Sequence, residues 1–98
     1  MKAYLVGNIV VHDQATFAAY GQKVAPVIAA FGGRYIVRGG AIAPVEGQLP
    51  IARLVIVEFS SMADLRRFYD SPEYAPLLKM RIDATTSNIA FVEGYDAP

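Results

Sequence analysis

The run Leu54-Val55-Ile56-Val57 is apolar on both of the faces that a strand presents, and Tyr4-Leu5-Val6-Gly7-Asn8-Ile9-Val10-Val11 is nearly so. Successive side chains of a strand point to opposite sides, so a strand wetted on one side alternates apolar and polar residues. An unbroken apolar run marks a strand covered on both sides. A chain of 98 residues suits one domain, spanning residues 1–98, with one layer of helices over one sheet face. Such a chain buries only roughly 60–68% of its unfolded surface, so it needs an efficient core or a partner subunit. Two copies packing sheet to sheet would cover the remaining face, and a homodimer is therefore expected.

The order of elements sharpens this. After the first strand, Asp13 offers an N-cap, and Phe17, Tyr20, Val24, Val27, Ile28 and Phe31 recur at helical spacing. Pro26 falls inside that stripe and predicts a kink or restart, and Gly32-Gly33 closes the helix. Arg34-Tyr35-Ile36-Val37-Arg38 reads as a second strand ended by Gly39-Gly40, and residues 41–50 as a connection punctuated by Gly47 and Pro50. Arg53–Phe59 is the clearest strand. Ser61 with Asp64 resembles a capping box, and Leu65, Phe68 and Tyr69 give the second helix its stripe. Ser71-Pro72-Glu73 signals a restart, predicting a further segment to about Thr85 that carries Tyr74, Leu77, Leu78 and Ile82. Asn88–Glu93 is a last strand. The pattern β-α-β-β-α-β is the α+β, ferredoxin-like split βαβ arrangement, with an antiparallel sheet of order 4-1-3-2 and both helices on one face.

Strict alternation then sorts side chains. Leu5, Gly7 and Ile9, with Tyr35 and Val37, form wholly apolar sets that face the helices; Arg53, Val55, Val57 and Phe59 share one face of their strand. Asn8, Arg38 and Glu58 fall on the opposite face, with Arg38 and Glu58 as a cross-strand ion pair beside Asn8. A charge on a covered face needs a partner or a ligand. Two roles are open: the pair satisfies itself, or Arg38 anchors a carboxylate or carbonyl ligand that Glu58 orients. Tyr20, Tyr69 and Tyr74 sit on helix faces and are candidates to line a cavity beside the sheet. His12, the single histidine, is the side chain whose ordinary pKa suits acid–base work near neutrality, although a histidine in a strand-to-helix loop is usually a solvated turn residue. The candidate ligand-binding set is Asn8, Tyr20, Arg38, Glu58, Tyr69 and Tyr74; the weak catalytic candidates are His12, Arg38 and Glu58.

Composition trims the classes. Nine basic residues balance nine acidic ones, which removes the electrostatic footprint of a nucleic-acid binder, and no exposed aromatic platform with basic surroundings is apparent. Without cysteine there is no disulfide, thiolate nucleophile or Cys-ligated metal. One histidine argues against a transition-metal site; no metal and no cofactor are expected, with haem through His12 a weak alternative. The glycine pairs at 32–33 and 39–40 fit neither phosphate-loop pattern. Arg66-Arg67 and Lys79/Arg81 read as solvated helix faces. No apolar run approaches the roughly 18 residues that span a bilayer, and Met1-Lys2-Ala3-Tyr4 shows no cleavage signature. A cytoplasmic protein without membrane or nucleic-acid partners is expected.

Val24-x-Pro26, Gly32-Gly33-Arg34-Tyr35, Val37-Arg38-Gly39-Gly40, Leu54-Val55-Ile56-Val57-Glu58-Phe59 and Tyr69-x-Ser71-Pro72-Glu73-Tyr74 together resemble domain of unknown function (DUF) family 1330. The resemblance runs from the first strand to Val92-Glu93-Gly94. It implies a dimeric α+β barrel of ferredoxin-like subunits and brings no reaction, cofactor or catalytic residue. The wider superfamily includes antibiotic-biosynthesis monooxygenases, haem-degrading enzymes and small isomerases, an analogy at the level of fold. The expected function is binding of a small organic ligand, anionic or carbonyl-bearing, in a pocket between sheet and helices. The alternatives are a cofactor-independent monooxygenase or isomerase, and a non-catalytic dimerisation module.

Overall fold

A computed structural model describes residues 1–96. The elements follow in the order β1 (Ala3–Val11), α1 (Gln14–Ala30), β2 (Arg34–Arg38), β3 (Leu54–Phe59), α2 (Met62–Tyr69), α3 (Ala75–Ala84) and β4 (Thr85–Glu93). The strands form one sheet in the order β2-β3-β1-β4, with every neighbouring pair antiparallel. This is the ferredoxin-like α+β arrangement that the order of elements predicts.

Local chemistry explains the boundaries. The Asp13 carboxylate accepts from the backbone N–H of Thr16 at 3.0 Å and from its hydroxyl at 2.7 Å, capping α1. Ser61 does the same for α2, accepting from Asp64 N at 3.1 Å. The expected restart at Pro26 is absent: α1 runs through it as one element. Pro26 forgoes the hydrogen bond of its missing N–H and crowds the carbonyl four residues back, but the Tyr20, Val24 and Ile28 stripe stays docked on both sides of it. Ser71 does not begin a helix either. Its buried hydroxyl donates to Phe68 O at 2.7 Å and accepts from Tyr74 N at 3.1 Å, stitching a turn over 72–74, so that α3 starts at Ala75. That turn drives Tyr74 into the core, where it is 1% exposed.

The core lies between the sheet and the helices. Ala3, Leu5 and Ile9 of β1 and Val55, Val57 and Phe59 of β3 meet Tyr20, Val24 and Ile28 of α1 and Leu65 and Phe68 of α2. Packing is tight at Gly33, where an added Cβ would fall 2.7 Å from the Phe59 ring and 2.8 Å from Ile28 Cγ2. On α3 the buried positions are Leu77, Arg81 and Ala84, whereas Ile82 is exposed. This corrects the expectation of a solvated Arg81 and an inward Ile82; the reason, given below, is a pair of phenol oxygens waiting for the guanidinium.

The other sheet face carries no helix. Val6, Leu54 and Ile56 are half-buried on it, and Val10, Ile36 and Val92 are exposed. Here a second correction arises. Tyr35 opposes Val57, but Val37 opposes Ile56 and Arg38 opposes Val55, so a bulge at Ile36 breaks the alternation of β2. One extra residue shifts every later side chain to the other face. Val37 therefore turns to the open face, and Arg38 turns under the helices. Among the described residues, no helix is long and apolar enough to cross a membrane.

Candidate functional site

Between α1 and the sheet lies a cavity of about 520 Å³, well within the range of small-molecule sites. Leu5, Ile9, Phe17, Val55, Val57 and Ile89 supply much of its apolar wall. Its polar lining is one-sided: Arg38, Arg53 and Arg81 border it, with Tyr20, Tyr35 and Tyr74, Gln14 and Gln22, and no carboxylate. Zero net charge thus conceals a segregation. The described acids that form ion pairs hold Met1, Lys2, Arg34, Arg67 and Lys79, and none holds these three arginines.

Each arginine is held differently. The bulge brings Arg38 to the cavity, where it donates from Nη2 to Gly21 O at 3.1 Å and lies 4.3 Å from the centre of the Tyr35 ring. Arg53 lies 5.4 Å from the Phe17 ring centre and against Gly39, whose φ of 69° and missing Cβ leave room for the guanidinium. Its Nε is buried and has no hydrogen-bond partner among the described residues. Arg81, 4% exposed, donates from Nε to Tyr74 Oη at 3.3 Å and from Nη2 to Tyr69 Oη at 3.2 Å.

Tyr20 and Tyr74 join their hydroxyls at 2.9 Å. Arginine can only donate, so Tyr74 Oη accepts from Arg81. Either phenol can donate in the Tyr20–Tyr74 pair, and either way one O–H proton remains free at the cavity that both residues line. Burial, with Tyr74 beside it, pushes the Tyr20 phenol far above the ordinary tyrosine range, so it is a neutral donor at physiological pH. Burial also raises Tyr35, against the opposing pull of Arg38.

Of the residues singled out in the sequence, Tyr20, Arg38 and Tyr74 come together at the cavity. Tyr69 stands behind it, bonded to Arg81 and packed 5.4 Å from the Tyr74 ring and 5.2 Å from that of Phe91. Asn8 and Glu58 lie on the open face. Asn8 donates to Pro50 O at 3.0 Å and accepts from Ala52 N at 2.9 Å, pinning the connection that delivers Arg53. The Arg38–Glu58 pair does not exist: the register sets Arg34 opposite Glu58 and Arg38 further along, opposite Val55, and the bulge turns Arg38 to the other face. Glu58 instead meets Arg34 Nε at 3.1 Å and Lys2 Nζ at 3.3 Å, and its carboxyl is held below the usual range chiefly by the Arg34 hydrogen bond. His12 is exposed, with Nε2 2.7 Å from Thr86 Oγ1, away from the cavity lining.

Arg53 and Arg81 were not among the candidates. Arg53 shares strand parity with Val55, Val57 and Phe59, which was a readable signal. Arg81 follows Tyr74 and Leu77 by seven and four positions, a helical spacing that put it on their face. Among the described residues there is no grouping of His, Asp and Glu suited to a metal.

A split βαβ chain with a cationic, tyrosine-lined cavity under its helices has the ferredoxin-like α+β fold. Residues 2–95 match the family described as domain of unknown function (DUF1330), and the chain belongs to that family. Among solved structures it is similar to the RPA0582 protein of unknown function from Rhodopseudomonas palustris, at 18% identity and TM-score 0.77, covering 98% of this chain and 84% of that one. It is also similar to SnoaB, described as a cofactor-independent oxygenase from Streptomyces nogalater, at 15% identity and TM-score 0.69, covering 98% and 95%. A single-site variant of SnoaB gives 17% identity and TM-score 0.74 over the same shares. Identities this low establish the common fold. Among curated proteins nothing matches.

Proposed function

We propose that the chain is a small-molecule-binding protein that acts as a homodimer, taking an organic ligand with an anionic or carbonyl group into the cavity between sheet and helices. One observation carries this: three guanidinium groups border a single cavity without a carboxylate among its lining residues. With no carboxylate at the cavity to meet them, guanidinium groups that border it are free to form charge-assisted hydrogen bonds with an anionic or carbonyl ligand. Pairing through the helix-free sheet face is supported by the apolar Val6, Leu54, Ile56, Ile36 and Val92 on it.

Native mass spectrometry of freshly purified protein, compared with the same sample denatured, tests both parts. The expected result is a dimer mass with an added component that denaturation releases. Arg38→Ala should lose that component and keep the dimer. A monomer overturns the assembly. A bound component retained in full by Arg38→Ala overturns the site.

A second reading, enzymatic turnover of the cofactor-independent oxygenase or isomerase type, is favoured by the Tyr20–Tyr74–Arg81 chain, which offers a neutral proton donor to whatever occupies the cavity. The likeness in fold to SnoaB makes oxygen consumption the first activity to assay. No oxygen uptake and no isomer formed with the released component would leave binding alone.

A further inference from the structure

We infer that the cavity recognises a two-ended ligand: a planar apolar body bearing a carboxylate at one end and a carbonyl or phenolic oxygen at the other. The inference rests on the proposed ligand site and names its substrate class.

The polar groups of the cavity fall into two sets that differ in exposure and in chemistry. Arg38 is exposed and Arg53 half-buried, so this end opens to solvent. Arg53 borders the cavity and joins no ion pair among the described residues, and a fork of guanidinium N–H groups matches the two oxygens of a carboxylate. The deep end is the buried chain from Arg81 through Tyr74 to Tyr20. It delivers one neutral O–H, which suits a carbonyl or phenolic oxygen rather than a second full charge.

The space between the ends is apolar, and Phe17 relates them. The Arg53 guanidinium lies 5.4 Å from the Phe17 ring centre, and the Tyr20 ring lies 5.8 Å from it with its plane 25° away. Both ends thus flank one aromatic ring and lie within reach of a single two-ring molecule. A flat aryl body would lie along that ring while its substituents meet the two ends. Gly39 belongs to the same device: a side chain there would occupy the place of the Arg53 guanidinium.

The test uses the full chain and four probes of one shape: 6-hydroxy-2-naphthoate, 2-naphthoate, 2-naphthol and naphthalene, titrated by calorimetry or by probe fluorescence. 6-Hydroxy-2-naphthoate should bind best. Removing the carboxylate (2-naphthol) should weaken binding by about tenfold or more, and removing the hydroxyl (2-naphthoate) by about fivefold or more. Arg53→Met should abolish the preference over 2-naphthol, Arg53→Lys should restore part of it, and Tyr20→Phe should abolish the preference over 2-naphthoate. If the four probes bind alike, the two-ended recognition is wrong while the ligand site stands. Preferences unmoved by the variants place the probe elsewhere and overturn the inference. If none binds, the inference falls, while the ligand site is judged by the component that denaturation releases. The wild-type comparison needs no variant, so a substitution that unfolds the chain does not rescue the idea.

Discussion

Replacing Tyr74 by phenylalanine removes one oxygen and should cost more than removing the charge it supports. That oxygen accepts from Arg81 Nε at 3.3 Å and pairs with Tyr20 Oη at 2.9 Å, while Tyr74 is 1% exposed and Arg81 4%. Without it, a buried guanidinium keeps the hydrogen bond to Tyr69 and loses the other. Stranding a charged buried donor costs roughly 1.5–3 kcal/mol, and the long bond to Arg81 argues for the lower half of that range. The Tyr20 hydroxyl still borders the cavity and adds up to about 1 kcal/mol, so the expected loss is about 2–3 kcal/mol, or about 10–20 °C in Tm for a chain this size. Arg81→Met is the contrast. It removes the cation together with its need for partners and leaves Tyr74 paired to Tyr20, so it should stay within about 1 kcal/mol of wild type. The double variant should fall no more than about 1 kcal/mol below Arg81→Met, the part due to Tyr20, because the stranded charge is gone. Urea unfolding followed by far-UV circular dichroism, at one fixed protein concentration, measures all three. Arg81→Met costing as much as Tyr74→Phe would refute the reasoning, as would a Tyr74→Phe effect below about 0.5 kcal/mol.

Other outcomes are equally checkable. Gly33→Ala forces a Cβ to 2.7 Å from the Phe59 ring and should destabilise by about 1–3 kcal/mol in the same assay. Ile56→Glu puts a charge at the centre of the helix-free face, opposite Val6, and should yield folded monomers by sedimentation velocity; an intact dimer would show that the chain pairs by another surface. Glu58, whose folded carboxyl is held below its ordinary value by Arg34 and then Lys2, contributes stability above the unfolded glutamate pKa. That contribution fades as pH falls through the lower folded value. Glu58→Gln should therefore flatten part of the acid limb of a pH–stability profile, leaving the part due to Asp13, which its hydrogen bonds to Thr16 shift the same way. An acid limb unchanged in Glu58→Gln would deny the shift.

The local sequence was a good guide wherever one residue type settles one backbone choice. Asp13 and Ser61 cap the helices they were expected to cap, and β2 begins and ends at Arg34 and Arg38 as read. The reading broke down where two neighbours compete for a place. Helical spacing allowed both Arg81 and Ile82 on the inward face, and hydropathy chose Ile82, because it weighs a side chain alone and cannot see two phenols able to satisfy a guanidinium. Ser71 carries a helix-start signature and closes a turn instead, since its hydroxyl meets Phe68 O.

What the sequence by itself determined is the list of elements, their order, and hence the sheet β2-β3-β1-β4. Those follow from hydrophobic period, capping chemistry and the handedness of crossovers, which act over a few residues or hold for any chain. The tertiary structure alone decided which side chains share the cavity. A bulge of one residue at Ile36 is set by pairing with β3, and it moves Arg38 from the side of Glu58 to the side of Tyr20. Strand parity carries no memory of such an insertion, so the grouping of Arg38, Arg53 and Arg81 exists only once the strands have paired and the helices have docked over them.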